Sequence, residues 1–85
     1  MYTDKTEVMR TVAGAALQEL QRASSLHKPF NSAHEGYAVI LEELDELWEE
    51  VRKNGARRSP EKMRDEAIQV AAMAMRFVVD VTGVP

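Results

Sequence analysis

The sequence contains no cysteine, so neither disulfide bonds nor thiolate metal sites can supplement its core. The same absence favours a reducing, intracellular setting. No basic-then-apolar leader opens the chain, and no apolar run approaches the ~20 residues that cross a bilayer. A glycine-rich phosphate loop and an HExxH zinc motif are also missing. These absences predict a soluble cytoplasmic protein that has no membrane partner.

The charge of the chain is small in total but sorted along its length. Eleven basic and 14 acidic residues give a net charge of −3, which argues against a nucleic-acid partner. The length of 85 residues predicts one domain, residues 1–85. Six acids and no base lie between Glu42 and Glu50, and six bases lie between Arg52 and Arg64. This segregation indicates a specialised surface rather than a uniformly solvated exterior.

The pattern of apolar residues predicts an all-α chain of three helices and no strands. The predicted helices span residues 4–24, 33–53 and 60–81. Ser32 and Ser59 precede the second and third helices as N-caps, and Glu35 completes a capping box with Ser32. Gly55 is expected to stop the second helix. The first helix shows an apolar face that includes Val8, Met9, Val12, Ala16, Leu17 and Leu20.

The second helix separates apolar from acidic residues on a wheel of about 100° per residue. The apolar side, expected to pack into the core, comprises Tyr37, Ile40, Leu44, Leu47, Trp48 and Val51. The acidic side comprises Glu35, Glu42, Glu43, Glu46, Glu49 and Glu50. Glu43 and Glu50 lie at the boundary of the two sides, which predicts that they are partly buried.

Like charges on the acidic side repel one another. Glu42 and Glu46 are i,i+4 neighbours, as are Glu46 and Glu50, and each such pair costs about 0.2–0.5 kcal/mol on an exposed helix. Only Glu49 has a basic i,i+4 partner, Lys53. A divalent cation would relieve this repulsion, since carboxylate oxygens are the ligands that Mg²⁺ prefers. The alternative is an ordinary solvated acidic face.

The third helix is apolar except for one narrow stripe, which comprises Lys62, Asp65, Glu66, Gln69, Arg76 and Asp80. Packing this stripe against the acidic side of the second helix would bring Glu66 close to Glu43 and Glu46. The apolar remainder is too extensive for three helices to cover. We therefore expect a homo-oligomer, a dimer or a tetramer, in which the third helix packs against its copies and completes a larger helical bundle.

The segment from Glu42 to Glu46 resembles the EExxE motif of MazG-like, all-α nucleoside triphosphate pyrophosphohydrolases. In that family an ExxD motif follows on the next helix, and Glu66-Ala67-Ile68-Gln69 occupies the corresponding place here. The resemblance covers residues 32–81. One departure stands out, because Gln69 replaces the final aspartate of the second motif.

The resemblance implies that Glu42, Glu43, Glu46 and Glu66 bind Mg²⁺, or Mn²⁺ in its place, and that the metal contacts the phosphates of a nucleotide substrate. Glu42 or Glu43 would orient or deprotonate the attacking water. The implied reaction yields a nucleoside monophosphate and pyrophosphate. An amide at Gln69 carries no charge, so metal binding weaker than the family's is expected. Asp65 points about 100° away from Glu66 and is a poor substitute.

Several other residues have two interpretations each. Arg57 and Arg58 could contact phosphate or form a solvated pair in a loop. Arg76 could contact substrate, as Gln69 could, or pair with Asp80 one turn later. The histidines His27 and His34 are expected to pack near the start of the second helix. Phe30 and Trp48 could line a base pocket, although core packing is the commoner role of such residues.

Three functions follow from these patterns. The first is Mg²⁺-dependent hydrolysis of a nucleoside triphosphate or a related nucleotide. The second is a binding protein that holds metal and nucleotide without turnover, because of Gln69. The third is an oligomeric adaptor whose acidic face docks a basic partner.

Overall fold

The structure, a computed structural model, describes residues 4–85 and contains only helical elements. These are α1 (Lys5–Leu26), α2 (Ala33–Val51), α3 (Pro60–Phe77) and a π-helical turn (Val78–Thr82). No strand occurs within residues 4–85, which confirms the all-α prediction for this part of the chain.

The predicted N-caps are confirmed by side-chain hydrogen bonds to first-turn amides. Thr6 N donates to Asp4, Glu35 N to Ser32, and Lys62 N to Ser59. The return bond of the capping box differs from the prediction. The Glu35 carboxylate accepts from the backbone amide and side-chain amide of Asn31, at 3.1 and 3.0 Å, rather than from Ser32. The chain therefore enters α2 with two consecutive residues held in place.

The ends of α2 and α3 differ from their sequence patterns, because α2 ends two residues early and α3 changes to a π-helical turn after Phe77. α2 stops at Val51, four residues before Gly55, and the Val51 carbonyl accepts a 2.8 Å hydrogen bond from Arg58 Nε. Arg58 thus caps the end of α2 from the following loop. α3 continues through a π-helical turn to Gly83, whose φ of 65° is the left-handed conformation that glycine adopts freely. Gly83 N donates to Val78 O at 2.9 Å and closes that turn.

α3 is the central helix of the fold. It packs against both α1 and α2, which barely contact each other, so a groove opens between α1 and α2 over one face of α3. The radius of gyration is 14.4 Å, above the ~12 Å typical of a compact chain of this length. Within residues 4–85 no helix is both long and apolar enough to cross a membrane.

The core is small. Among residues 4–85, six apolar residues are buried: Ala16, Ala23, Phe30, Ile68, Ala72 and Met73. Twelve large apolar side chains of the same described part are exposed instead, among them Val8, Met9, Val12 and Leu17 of α1 and Tyr37, Leu44 and Trp48 of α2. The prediction that the apolar side of α2 packs into the core is wrong for Tyr37, Leu44 and Trp48. Each of the two helices meets only one neighbour, α3, along a single side.

Candidate metal centre

Three carboxylates from two helices converge beside the groove. Glu43 and Glu46 lie one turn apart on α2, and Glu66 lies in the second turn of α3. Each residue offers one carboxylate oxygen, and the three oxygens lie within 4.8 Å of one another. The predicted approach of Glu66 to Glu43 and Glu46 is therefore confirmed.

No salt bridge within residues 4–85 neutralises these three carboxylates. The bases near the end of α2 are paired elsewhere: Arg52 with Glu49 at 3.5 Å, and Lys53 with Glu50 at 2.9 Å. Lys53 was predicted to pair with Glu49 and instead reaches the half-buried Glu50. Glu43 Oε2 is buried and has no hydrogen-bond partner among the described residues. The cluster thus has an excess of negative charge and an unsatisfied acceptor.

Burial and mutual repulsion change the acidity of this cluster. Burial, followed by the close approach and charge of Glu46, raises the pKa of Glu43 from 4.5 to about 7. The pKa of Glu66 is also raised, by burial first and then by the charge of Glu46. Without a cation, Glu43 is therefore partly protonated near neutral pH.

The donor set suits a small, hard cation. Mg²⁺ binds oxygen at about 2.0–2.1 Å, so two ligands on opposite sides of one ion are ~4.2 Å apart. The three carboxylate oxygens lie within 4.8 Å of one another, so small rotations of the flexible glutamate side chains can bring them to that separation. Three carboxylates with no nitrogen or sulfur donor favour Mg²⁺ or Mn²⁺ over zinc.

Glu42 is the fourth metal residue that the family resemblance implies, and it lies outside the convergent set. Its side chain is exposed, and its position one residue before Glu43 turns it about 100° around α2. Its charge still contributes to the raised pKa of Glu43. Glu42 therefore sits at the rim of the cluster, next to solvent water.

Gln69 lies next to the cluster but also contacts α1. It lines a cavity of about 240 Å³ together with Glu43 of α2 and Arg22 of α1. Its contact with Glu19 helps to lower the pKa of that residue, although the main cause is the hydrogen-bonded guanidinium of Arg22. An uncharged amide at position 69 can approach Glu19 and Glu43 without repulsion, which an aspartate could not.

Arg76 is buried, with 5% of its surface exposed. Its Nη2 donates to Lys28 O at 2.6 Å, its Nε lies 3.3 Å from Asp80, and its guanidinium lies 4.1 Å from the centre of the Phe30 ring. Asp80 also accepts from Phe30 N at 3.2 Å. The pairing with Asp80, one of the two alternatives for Arg76, is the one observed. We call these four residues, Lys28, Phe30, Arg76 and Asp80, the loop clamp.

The remaining candidates are placed away from the cluster, with one exception. Arg57 and His34 are exposed, Arg58 caps α2, and Phe30 belongs to the core. Trp48 is exposed rather than in the core or in a pocket with the cluster. His27 is the exception, because it lines the same 240 Å³ cavity as Glu43.

Sequence reasoning missed Glu19 and Arg22 of α1. They are joined by hydrogen bonds, including Arg22 Nε to Glu19 Oε2 at 3.0 Å. Both line a second cavity of about 460 Å³ between α1 and α3, and Arg22 and Gln69 line both cavities. Their i,i+3 spacing indicates only an ordinary helix ion pair. Nothing local in the sequence indicates that α1 brings a base towards the acidic cluster.

No family model, curated protein or solved structure matches the chain.

Proposed function

We propose that this chain binds a divalent cation, Mg²⁺ or Mn²⁺, at Glu43, Glu46 and Glu66. The observation that carries the proposal is the convergence of three carboxylates from two helices, Glu43 and Glu66 half-buried and Glu46 exposed, with no basic partner among residues 4–85. A folded chain that keeps such a cluster loses stability from repulsion unless a cation offsets it. An exterior that is merely acidic would not need a buried, unpaired Glu43 oxygen.

We propose further that the chain is a metal-dependent nucleotide pyrophosphohydrolase acting as a homo-oligomer. In this reaction water attacks a nucleoside triphosphate, and the products are the monophosphate and pyrophosphate. A bound cation would neutralise negative charge on the phosphate oxygens. Support comes from the resemblance of residues 42–46 and 66–69 to the two motifs of the MazG-like family, and from the cavities beside the cluster.

The position of each glutamate determines the role that we propose for it. Glu43, Glu46 and Glu66 hold the cation. Glu42 is exposed at the rim of the cluster and is not one of the three convergent carboxylates. It would orient the attacking water or accept its proton. Glu43 is the alternative base, since a pKa of about 7 suits proton transfer near neutral pH.

Arg22 and Gln69 are the side chains that we expect to bind the phosphate oxygens of the substrate. Both line the 240 Å³ cavity that includes Glu43, and a guanidinium binds phosphate oxygens in a bidentate manner. Arg76, a substrate candidate from the sequence, is already committed to Lys28, Phe30 and Asp80. In this proposal it holds the loop that carries His27 rather than contacting substrate.

The test is pyrophosphate release from a panel of nucleoside triphosphates with Mg²⁺ or Mn²⁺. Glu46→Gln and Glu66→Gln should abolish release, and Glu49→Gln, an exposed acid on the same helix, should not. If no nucleotide is turned over, a rise in melting temperature that needs both metal and nucleotide supports the binding protein that Gln69 suggests. If neither metal changes stability at millimolar concentration, the adaptor is favoured.

Gln69→Asp examines the departure from the family motif directly. We expect it to tighten Mg²⁺ binding, because it adds a charged oxygen at the edge of the cluster. Unchanged metal affinity would show that position 69 lies outside the metal shell.

A further inference from the structure

α2 carries a second apolar surface that the core does not use. Tyr37, Leu41, Leu44 and Trp48 recur at spacings of 4, 3 and 4 residues, and 65%, 42%, 48% and 57% of each residue is exposed. This spacing is that of a helix seam that packs against another helix. We call these four residues the α2 stripe.

The α2 stripe is separate from the acidic cluster of Glu43, Glu46 and Glu66. On a helical wheel it lies about 100° around α2 from the face that carries Glu43 and Leu47. Glu43 and Leu47 are half-buried against the rest of the chain, whereas the stripe faces solvent. Covering the stripe would therefore leave the acidic cluster open to solvent.

α3 carries a matching row of alanines, Ala67, Ala71 and Ala74, and Val78 at the start of the π-helical turn continues the row, again at spacings of 4, 3 and 4. Ala67, Ala74 and Val78 are exposed, and Ala71 is half-buried. On the wheel of α3 this row is about 180° from Gln69, which lines the groove. We call it the α3 row. It faces away from the groove between α1 and α2.

We propose that the α2 stripe packs onto the α3 row of a second copy of this chain, and the reverse, around a two-fold axis parallel to the helices. Bulky side chains on one helix and small ones on its neighbour make this surface complementary to itself. Packing bulky residues against alanines lets the helices approach closely without overlap. Two copies would thereby form a four-helix bundle made of two stacked helix pairs.

The fold fixes the register of this pairing. α2 and α3 are antiparallel, with Gly36 beside Phe77 and Glu46 beside Glu66. These two pairs place Leu41 level with Ala71. A two-fold axis parallel to the helices preserves levels, so Leu41 would meet Ala71 of the second copy, with Leu44 fitting between Ala67 and Ala71.

The amount of surface suits a second copy. From their exposed fractions, the four stripe side chains contribute on the order of 400 Å². A stable interface needs ~800 Å² from each partner, and the α3 row adds to the stripe. Within the described part of one chain, six apolar residues are buried and twelve large ones are exposed, which leaves apolar surface for a partner to cover.

The first test measures mass by sedimentation, in the absence of metal and nucleotide. The homo-oligomer belongs to the proposed function, but this experiment is independent of catalysis, so failure of either leaves the other standing. We expect the wild-type chain to sediment at twice the mass of one chain or more. Trp48→Glu should weaken self-association by about 30-fold or more. Gln21→Glu, which adds the same group at an exposed site on α1, should not. A monomeric wild type, or an unaffected Trp48→Glu variant, overturns the proposal.

The second test does not depend on whether Trp48→Glu folds. Because the chain has no cysteine, introduced cysteines report only on each other. Leu41→Cys combined with Ala71→Cys should form a covalent dimer on mild oxidation, visible on a denaturing gel. Leu41→Cys alone should not, because the two stripes do not meet. A covalent dimer of the single variant, or none of the double variant, contradicts the proposed packing.

Discussion

Two regions of this chain bring charged side chains close together, one by pairing opposite charges and the other by grouping like charges. In the loop clamp, Arg76 and Asp80 form an ion pair with Nε 3.3 Å from the carboxylate. Arg76 Nη2 also donates to Lys28 O, and Asp80 accepts from Phe30 N, while the buried Arg76 Nε makes no hydrogen bond among the described residues. In the metal cluster, Glu43, Glu46 and Glu66 approach one another with no basic partner among residues 4–85. Both regions draw a charged residue from the same polar stripe of α3.

The difference separates a structural role from a binding role. An ion pair of balanced charge needs no counter-ion from solution and fixes the chain locally. An unbalanced cluster is stable only if protons or a cation reduce its charge. Balance of charge, rather than burial alone, therefore distinguishes the two regions; three predictions examine this balance, and one examines packing.

The largest effect is expected from Arg76→Met. Removing one partner of a buried pair leaves Asp80 with an uncompensated charge, at a cost of about 3–5 kcal/mol. That is a large part of the stability of a small domain. Urea denaturation measures the change. In the double variant with Asp80→Leu, the loss should be smaller than for Arg76→Met alone. A loss below ~1 kcal/mol for the single variant would show that the clamp is not structural.

The next effect concerns packing rather than charge, and it compares the close approach of α2 to Phe77 with the open surface of α1. A Cβ added at Gly36 would lie 2.6 Å from Phe77 Cδ2, so Gly36→Ala should destabilise the chain by roughly 1–3 kcal/mol. Gly14, on exposed α1, has nothing within 4 Å of an added Cβ. Gly14→Ala should instead stabilise by about 0.5–1 kcal/mol. Equal effects at the two sites in denaturant unfolding would contradict the close approach of α2 to Phe77.

A smaller change in the free energy of unfolding is expected from Glu43→Gln. It should stabilise the chain, whereas Arg76→Met should destabilise it. Removing one charge from the cluster should stabilise the metal-free chain by roughly 0.5–1 kcal/mol near neutral pH. The same variant should lose the stabilisation that millimolar Mg²⁺ gives the wild type. Glu49→Gln, outside the cluster, is the control for both measurements. A Glu43→Gln variant that is destabilised without metal would mean that the cluster is not repulsive.

The smallest effect is a dependence of stability on pH. The pKa of Glu43 is raised from 4.5 to about 7 on folding, so the folded chain binds the proton more tightly. Its stabilising contribution is complete below about pH 4.5 and is lost as pH rises through about 7. Without metal, the melting temperature should fall between about pH 5 and pH 8, and Glu43→Gln should flatten this slope. With saturating Mg²⁺ the fall should disappear, since the metal displaces the proton. An unchanged slope in the variant would assign the dependence to other groups.

Local features were predicted well because they depend on near neighbours in the chain. Ser32 and Ser59 cap their helices as expected, because capping needs only a side-chain oxygen and the next amides. The half-burial of Glu43 and Glu50 also follows from helical periodicity alone.

The errors came from assuming that an apolar face finds its partner within one chain. Tyr37, Leu44 and Trp48 were expected in the core and are exposed. Periodicity shows that a face is apolar but not what covers it. The pairing of Glu49 with Lys53 was wrong for a similar reason, since the end of α2 at Val51 lets Lys53 reach Glu50 instead.

The sequence by itself determined three helices, their caps and an α2 that is acidic on one side, because backbone hydrogen bonding and helical periodicity act over a few residues. Only the tertiary structure decided that Glu66 joins Glu43 and Glu46 while Glu42 stays outside, that Arg76 is committed to Asp80 and Lys28, and that Arg22 borders the cluster. Those outcomes depend on how α1, α2 and α3 are oriented about their axes, and that orientation is set by the packing of the whole core.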